Sequence, residues 1–337
     1  MSAFAAHYGP RRSARACERP IVGGAPEDGG MTTMTTAAPV ISYLDTRGPY
    51  DLREVALMGF GHRDVHSFDG VMRLAFCLDG DYERQVGVEL RQEGERLQLR
   101  IHALAETPAL DEAEVATIAN QVARVVSVDH DGLAFERLCA ADPVLAKLRQ
   151  VAPGFRPALF YSPYEAAVWS VISARRARSQ GITLRSRLSE AYGASFELAG
   201  QRTLALPTPS QLLGVDSLQG LPKDRIPRLH AIANATREGR LSVDRLTAMS
   251  PEEAMKDLQT LPGIGPFYSA LIVIRACGNA DVLSVQEDIS RSAATDLYGL
   301  DHSLSDAEYE AFAERWRPFR TWVSVMVRAV GSRAPAG

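Results

Sequence analysis

The string Leu261-Pro262-Gly263-Ile264-Gly265 places two glycines two residues apart, just ahead of an apolar run from Phe267 to Ala276. Glycine carries no Cβ, so such a turn bends sharply and leaves its N–H groups uncovered. With the positive end of the following helix, those groups form a site for an anion such as a phosphate. A bare G-x-G fits a plain helix corner; the full L-P-G-I-G ahead of an apolar helix favours the anion site, with Ile264 turned inward to fix the helix pair. Arg175, Arg176 and Arg178 could add phosphate contacts, or could simply face water. Gln286, Glu287 and Asp288 stand in a row. The two acids could balance positive charge on a reacting group, or could cap a helix starting near Ile289, where acids gain about 0.3–1 kcal/mol.

The totals narrow what such groups could serve. The 337 residues are 46 % hydrophobic and 23 % charged, an ordinary balance for a folded protein and a length fit for two or three domains. A net charge of −4 argues against a general polyanion binder and leaves room for a local basic patch. Cys17, Cys77, Cys139 and Cys277 are scattered, so no zinc or iron–sulfur spacing exists, and the pattern fits a reducing cytosol. No metal ligand set is expected from the rest of the sequence. No G-x-G-x-x-G or phosphate-binding P-loop is present. No apolar run reaches about 18 residues, so no membrane partner is expected.

The elements that must hold these groups follow from periodicity. Residues 1–37 are rich in Gly, Pro, Ser, Thr and Arg without an apolar period, and read as a disordered segment without a signal peptide; Met31 and Met34 are alternative starts. From 38 to 137 the pattern is α+β. QVGVELRQ and ERLQLRIHA alternate around Glu93-Gly94, which predicts a hairpin with Val86, Val88, Leu90, Leu97, Leu99 and Ile101 on a buried side. Val115, Ile118, Val122 and Val125 recur at helical spacing after Asp111 and Glu112, so a helix should pack on that sheet. From 138 to 333 the strand signals stop, and eight to ten helices are expected. Ser162-Pro163-Tyr164-Glu165 reads as an N-cap, a first-turn proline and a capping-box acid, and Ser250-Pro251-Glu252-Glu253 repeats the device.

LPGIGPFYSALIVIRACG resembles the helix-hairpin-helix of the DNA glycosylase superfamily whose Gly/Pro-rich loop is followed by a catalytic aspartate. DVLSVQEDISRSAATDLYG resembles the segment bearing that aspartate. ERWRPFRTWVSVMVRAVG is similar to the W-R-P-W-R helix of the bacterial 3-methyladenine DNA glycosylase II (AlkA) branch. GPYDLREVALMGFGHRD, LCAADPVLAKLRQVAPGFRP and YSPYEAAVWSVIS extend the similarity over about 40–333. It implies an α+β domain of TATA-binding-protein-like topology followed by an all-α helix-hairpin-helix glycosylase domain, acting in the cytoplasm, at the nucleoid, as a monomer on duplex DNA with a damaged base.

The resemblance also implies roles. Gly263, Ile264 and Gly265 would hold backbone phosphate, which positions the enzyme without reading sequence. Phe267 stands where glycosylase–lyases carry a lysine, so the implied enzyme is monofunctional. There an aromatic would stack on the flipped base, gaining about 0.5–2 kcal/mol on a cationic purine. Tyr268, Trp316, Phe319 and Trp322 would line the pocket. Laid without gaps from Asp281 to Gly299, the segment puts Glu287 at the aspartate's position. Anchoring on Ile289 and Arg291 puts Gln286 there, and Asp288 is one residue beyond. The carboxylate would stabilise oxocarbenium character on the sugar and orient a water. Leu271 and Phe319 depart from the more electron-rich residues of the branch. No cofactor and no iron–sulfur cluster are implied, though the hairpin carbonyls could hold a monovalent cation.

Overall fold

The computed structural model describes residues 38–58, 67–284 and 287–333. Residues 1–37 and Gln286 lie outside that set, so the expectations made for them concern residues not described.

The chain opens with β1 (Val40–Asp45), α1 (Leu52–Leu57), β2 (Met72–Leu78), β3 (Asp81–Glu93), β4 (Arg96–Ala103) and α2 (Glu112–Val125). The strands form one antiparallel sheet in the order β1-β4-β3-β2. The hairpin read from alternation is present: Val88 pairs with Ile101 and Leu90 with Leu99. Val86, Val88, Leu90, Leu97, Leu99 and Ile101 are all 0 % exposed. A one-residue slip would turn this entire set toward water, so burial fixes the register. Asp111 and Glu114 form a full capping box on α2, whose Ile118, Val122 and Val125 close over the sheet.

Next come α3 (Gly132–Ala141), α4 (Pro143–Val151), α5 (Pro163–Ser173) and α6 (Arg178–Tyr192). Here one expectation fails. The second part is not all-helical: β5 (Ser195–Leu198) and β6 (Gln201–Leu204) form an antiparallel hairpin. Its turn residues, Ala199 and Gly200, have φ of 43° and 74°. The hairpin is seated on the first sheet. Arg73 Nε donates to the Leu198 carbonyl at 2.9 Å, and the Ala199 N–H donates to Glu89 Oε1 at 3.0 Å. Phe196 and Leu198, both 0 % exposed, pack with Ala75 and Leu104. The approach is so close that a Cβ on Gly87 would lie 2.8 Å from the Phe196 ring. Gly87→Ala is therefore expected to cost about 1–3 kcal/mol in denaturant unfolding, because neither backbone nor ring can yield cheaply.

The rest is helical: α7 (Pro209–Leu213), α8 (Ile226–Arg237), α9 (Val243–Thr247), α10 (Pro251–Leu258), α11 (Pro266–Arg275), α12 (Asp288–Tyr298), α13 (Asp306–Ala313) and α14 (Arg320–Val330). Ser250 and Glu253 make the expected box on α10. At α5 only half of the device forms. Ser162 accepts from the Glu165 N–H at 3.2 Å, while the Glu165 carboxylate, buried, faces Arg185 Nη2 at 3.4 Å instead of the cap. The helices build two cores. One gathers side chains between 160 and 277, including Ile264 from the glycine turn. The other joins 135–155 to 280–330, with Trp316, Phe319 and Trp322 at its centre.

Candidate active site and nucleic-acid interface

The glycine turn has the geometry its residues imply. Gly263 adopts φ 93°, a conformation only glycine takes without strain, and Ile264 is 4 % exposed in the core between α10 and α11. Gly265 is the N-cap of α11 and offers no side chain to the first-turn N–H groups, and its Cα faces open space. Those N–H groups and the helix dipole therefore point at solvent on the turn's outer side.

What surrounds the turn was only half visible in the sequence. Arg228, on α8, brings its Cδ to 3.2 Å from where a Gly263 Cβ would lie. Arg225 sits one turn earlier and is anchored by its Nη1 donating to the Val171 carbonyl at 2.9 Å. Its guanidinium pKa is lowered, first by partial burial and then by the charges of Arg228, Arg176 and Arg175, with Asp224 opposing. Arg175 and Arg176, from the α5–α6 corner, thus lie near enough to Arg225 for their charges to act on it, and Arg228 stands beside the turn. Arg175 holds φ 59° at that corner. Asp224, 3.5 Å from Arg228 and largely exposed, offsets part of this charge. Four like charges repel; a polyanion laid across them removes that cost.

Phe267 follows the turn with its side chain 48 % exposed, edge-to-face with Tyr268 at 5.2 Å between ring centres. A large exposed aromatic at a helix start is a ready stacking surface. Tyr268 is half-buried, and burial raises its pKa while the Ser173 hydroxyl and Arg225 act the other way.

The tryptophans differ from their expected place. Trp316 is 0 % exposed and Trp322 2 %. The Trp316 indole N–H donates to the Tyr298 hydroxyl at 3.2 Å, and Trp322 meets Phe135 and His130 edge-on at 5.1 and 5.4 Å. In this conformation both fill the second core rather than line an open pocket, and so does Phe319 at 5 %. The W-R-P-F-R segment has a different local task. Arg317 Nη1 donates to Asp281 Oδ2 at 2.7 Å, and Arg320 Nε to Asp281 Oδ1 at 3.0 Å. Thr321 Oγ1 accepts from the Val282 N–H at 3.0 Å and donates to the Val282 carbonyl at 2.6 Å. The segment thus staples residues 281–282, the run that leads to Glu287.

Glu287 and Asp288 then part company. Asp288 is in the first turn of α12, its side chain 83 % exposed and paired with Arg291, which also pairs with Asp306. Glu287 is the N-cap residue, yet its carboxylate caps nothing. Oε2 accepts from the buried Ser290 hydroxyl at 2.8 Å, and Oε1 pairs with Arg328 of α14. With 25 % exposure the carboxylate is held on the inner side of the α12 start and still reaches solvent. Of the two acids, Glu287 alone has the fixed, half-sheltered setting that charge stabilisation in a reaction requires. Among the described residues, no group of acids, histidines and cysteines could hold a metal ion. Among them no helix is long and apolar enough to cross a membrane.

A helix-hairpin-helix corner beside clustered arginines, followed by a carboxylate on the next helix, defines a class, and comparisons with known proteins agree. The chain is 26 % identical over 182 residues to DNA-3-methyladenine glycosylase 2 of Escherichia coli, covering 53 % of this chain and 61 % of that protein. It is 26 % identical over 303 residues to a Mycobacterium tuberculosis protein described as a probable bifunctional transcriptional activator/DNA repair enzyme AlkA, covering 86 % of this chain and 57 % of that one. The chain therefore spans about three-fifths of these curated relatives. Among solved structures, the 3-methyladenine DNA-glycosylase from Archaeoglobus fulgidus superposes with a TM-score of 0.68 at 20 % identity, over 86 % of this chain and 98 % of that one. The 8-oxoguanine glycosylase/lyase of Clostridium acetobutylicum gives 0.58 at 15 %, over 88 % and 98 %. No family model matches. The chain is thus similar in sequence to AlkA-like DNA glycosylases and shares the fold of solved helix-hairpin-helix glycosylases.

Proposed function

We propose that the protein is a monofunctional DNA glycosylase that flips alkylated bases of the 3-methyladenine type out of duplex DNA and releases them by hydrolysis. The observation that carries this reading is the Gly263–Gly265 turn with Arg228 beside it, Arg225 near Arg228, Arg175 and Arg176, and half-exposed Phe267 two residues past Gly265. The turn and the arginines grip phosphates on either side of the lesion. The displaced base stacks on Phe267 beside Tyr268, at a flipping cost of a few kcal/mol that damage reduces. Glu287 faces the sugar as the glycosylic bond breaks and orients the attacking water. Phe267 supplies no amine, so no Schiff base forms and the strand is left intact. The enzyme works as a monomer. A Na⁺ or K⁺ on the turn carbonyls is compatible with a Leu261 carbonyl that already accepts from the Ile264 N–H at 3.1 Å and keeps a second lone pair.

Incubating the protein with duplex DNA containing 3-methyladenine or 7-methylguanine tests the reading: the free base should appear while the strand stays uncut. Tight, salt-dependent binding without release supports the second reading, a lesion-sensing DNA binder, which the Glu287–Arg328 pair favours because it engages the carboxylate. In either case Arg225→Ala with Arg228→Ala should flatten the plot of log K against log salt by about 1–2. An unchanged slope would move the interface elsewhere.

A further inference from the structure

Arg328 lies in the last turn of α14, 41 residues from its partner, and reaches across to the one oxygen of Glu287 that Ser290 does not bind. Both groups remain partly open, at 35 % and 25 % exposure. A carboxylate meant to steady a positive charge gains from standing alone; a guanidinium on it subtracts from its field at every nearby point. Ser290 already fixes the rotamer, so the arginine is not needed to position the acid.

We propose that Arg328 is a specificity-determining residue that screens Glu287 and confines the site to bases whose own positive charge has weakened the glycosylic bond. The inference rests on the reading of Glu287 as the group that faces the sugar. A cationic alkylated purine departs as a neutral molecule and asks less of the carboxylate than a neutral base does. A neutral base such as hypoxanthine departs with negative charge and asks for the full field. Weakening the field therefore slows release of undamaged and merely deaminated bases far more than release of charged ones, which spares normal purines.

The test compares binding to two duplexes that mimic the two charge states of the sugar: one with a cationic pyrrolidine abasic analogue, one with neutral tetrahydrofuran. Wild type should prefer the cation by no more than about threefold, and Arg328→Gln should widen that preference at least about fivefold over wild type. Arg328→Lys, which keeps the charge, should behave as wild type, and Glu287→Gln with Arg328→Gln should lose the gain. Release of hypoxanthine by Arg328→Gln should rise relative to release of 7-methylguanine. Tight binding with the same preference in wild type and Arg328→Gln overturns the role of Arg328 alone, as does an equal shift in the Lys and Gln variants. Absence of binding to either duplex by wild type removes the glycosylase reading itself and this inference with it.

Discussion

Glu287→Gln lowers base release from 3-methyladenine duplexes by about a hundredfold, the size of effect seen when one preorganised electrostatic group is lost from a reacting centre. The substitution keeps shape and leaves an oxygen for Ser290, so what disappears is the negative charge and the ability to orient water. Stability should change by no more than about 1 kcal/mol, since the Arg328 pair it breaks is partly solvated. DNA affinity should hold, because the arginines proposed to grip phosphate are on other elements. Asp288→Asn is the matched control: its side chain is 83 % exposed and tied to Arg291, so release should stay within about threefold of wild type. Single-turnover release with parallel anisotropy titrations separates the two. A Glu287→Gln protein as fast as wild type would leave the catalytic role without an owner among the described residues.

Trp316→Ala is expected to destabilise the fold by about 3–5 kcal/mol in denaturant unfolding. The ring is fully buried and meets Phe312 at 5.5 Å and Tyr309 at 6.0 Å. Its indole N–H holds the Tyr298 hydroxyl, which itself donates to Asp142 at the start of α4 at 2.7 Å. Truncation leaves a cavity and takes the indole donor from the Tyr298 oxygen, two costs that add. Burial, followed by the Asp142 carboxylate, raises the Tyr298 pKa, so that hydroxyl stays a donor throughout the neutral range. A small stability loss with a large fall in base release would instead return Trp316 to the base pocket, where the sequence pattern had placed it.

Much of this was legible in residue types alone. Alternation named the six inward residues of β3 and β4, the periodic run after Asp111 and Glu112 marked a true helix, and the capping devices at Ser162 and Ser250 marked true helix starts. The glycine turn was readable because its demand is local: a positive φ at Gly263 is a property of one residue. The β5–β6 hairpin was not, since its strands have four residues each and its turn is Ala-Gly rather than Asn-Gly. What decides it is a tertiary neighbour, the notch at Gly87. Arg225 and Arg228 escaped for the same reason: each is an ordinary helix arginine until α8 is laid against the turn. Glu287 and Arg328 meet only because α12 and α14 pack, and no periodicity reports that. The aromatic count near the C-terminus misled in the opposite sense. A tryptophan in a recognisable motif was read as a ligand surface, whereas Trp316 and Trp322 have almost no surface to offer.

The seating of β5–β6 on the sheet has a practical corollary for anyone who wants to transplant the helices of the second part into another protein. Excised without the four strands, they would carry Phe196 and Leu198 uncovered and Arg73's two grips, on Leu198 and Ala199, would be gone. A cut at 137 would also pass through the middle of α3, between Phe135 and Cys139, both buried. Such a fragment would precipitate rather than fold, and the sheet has to travel with the helices.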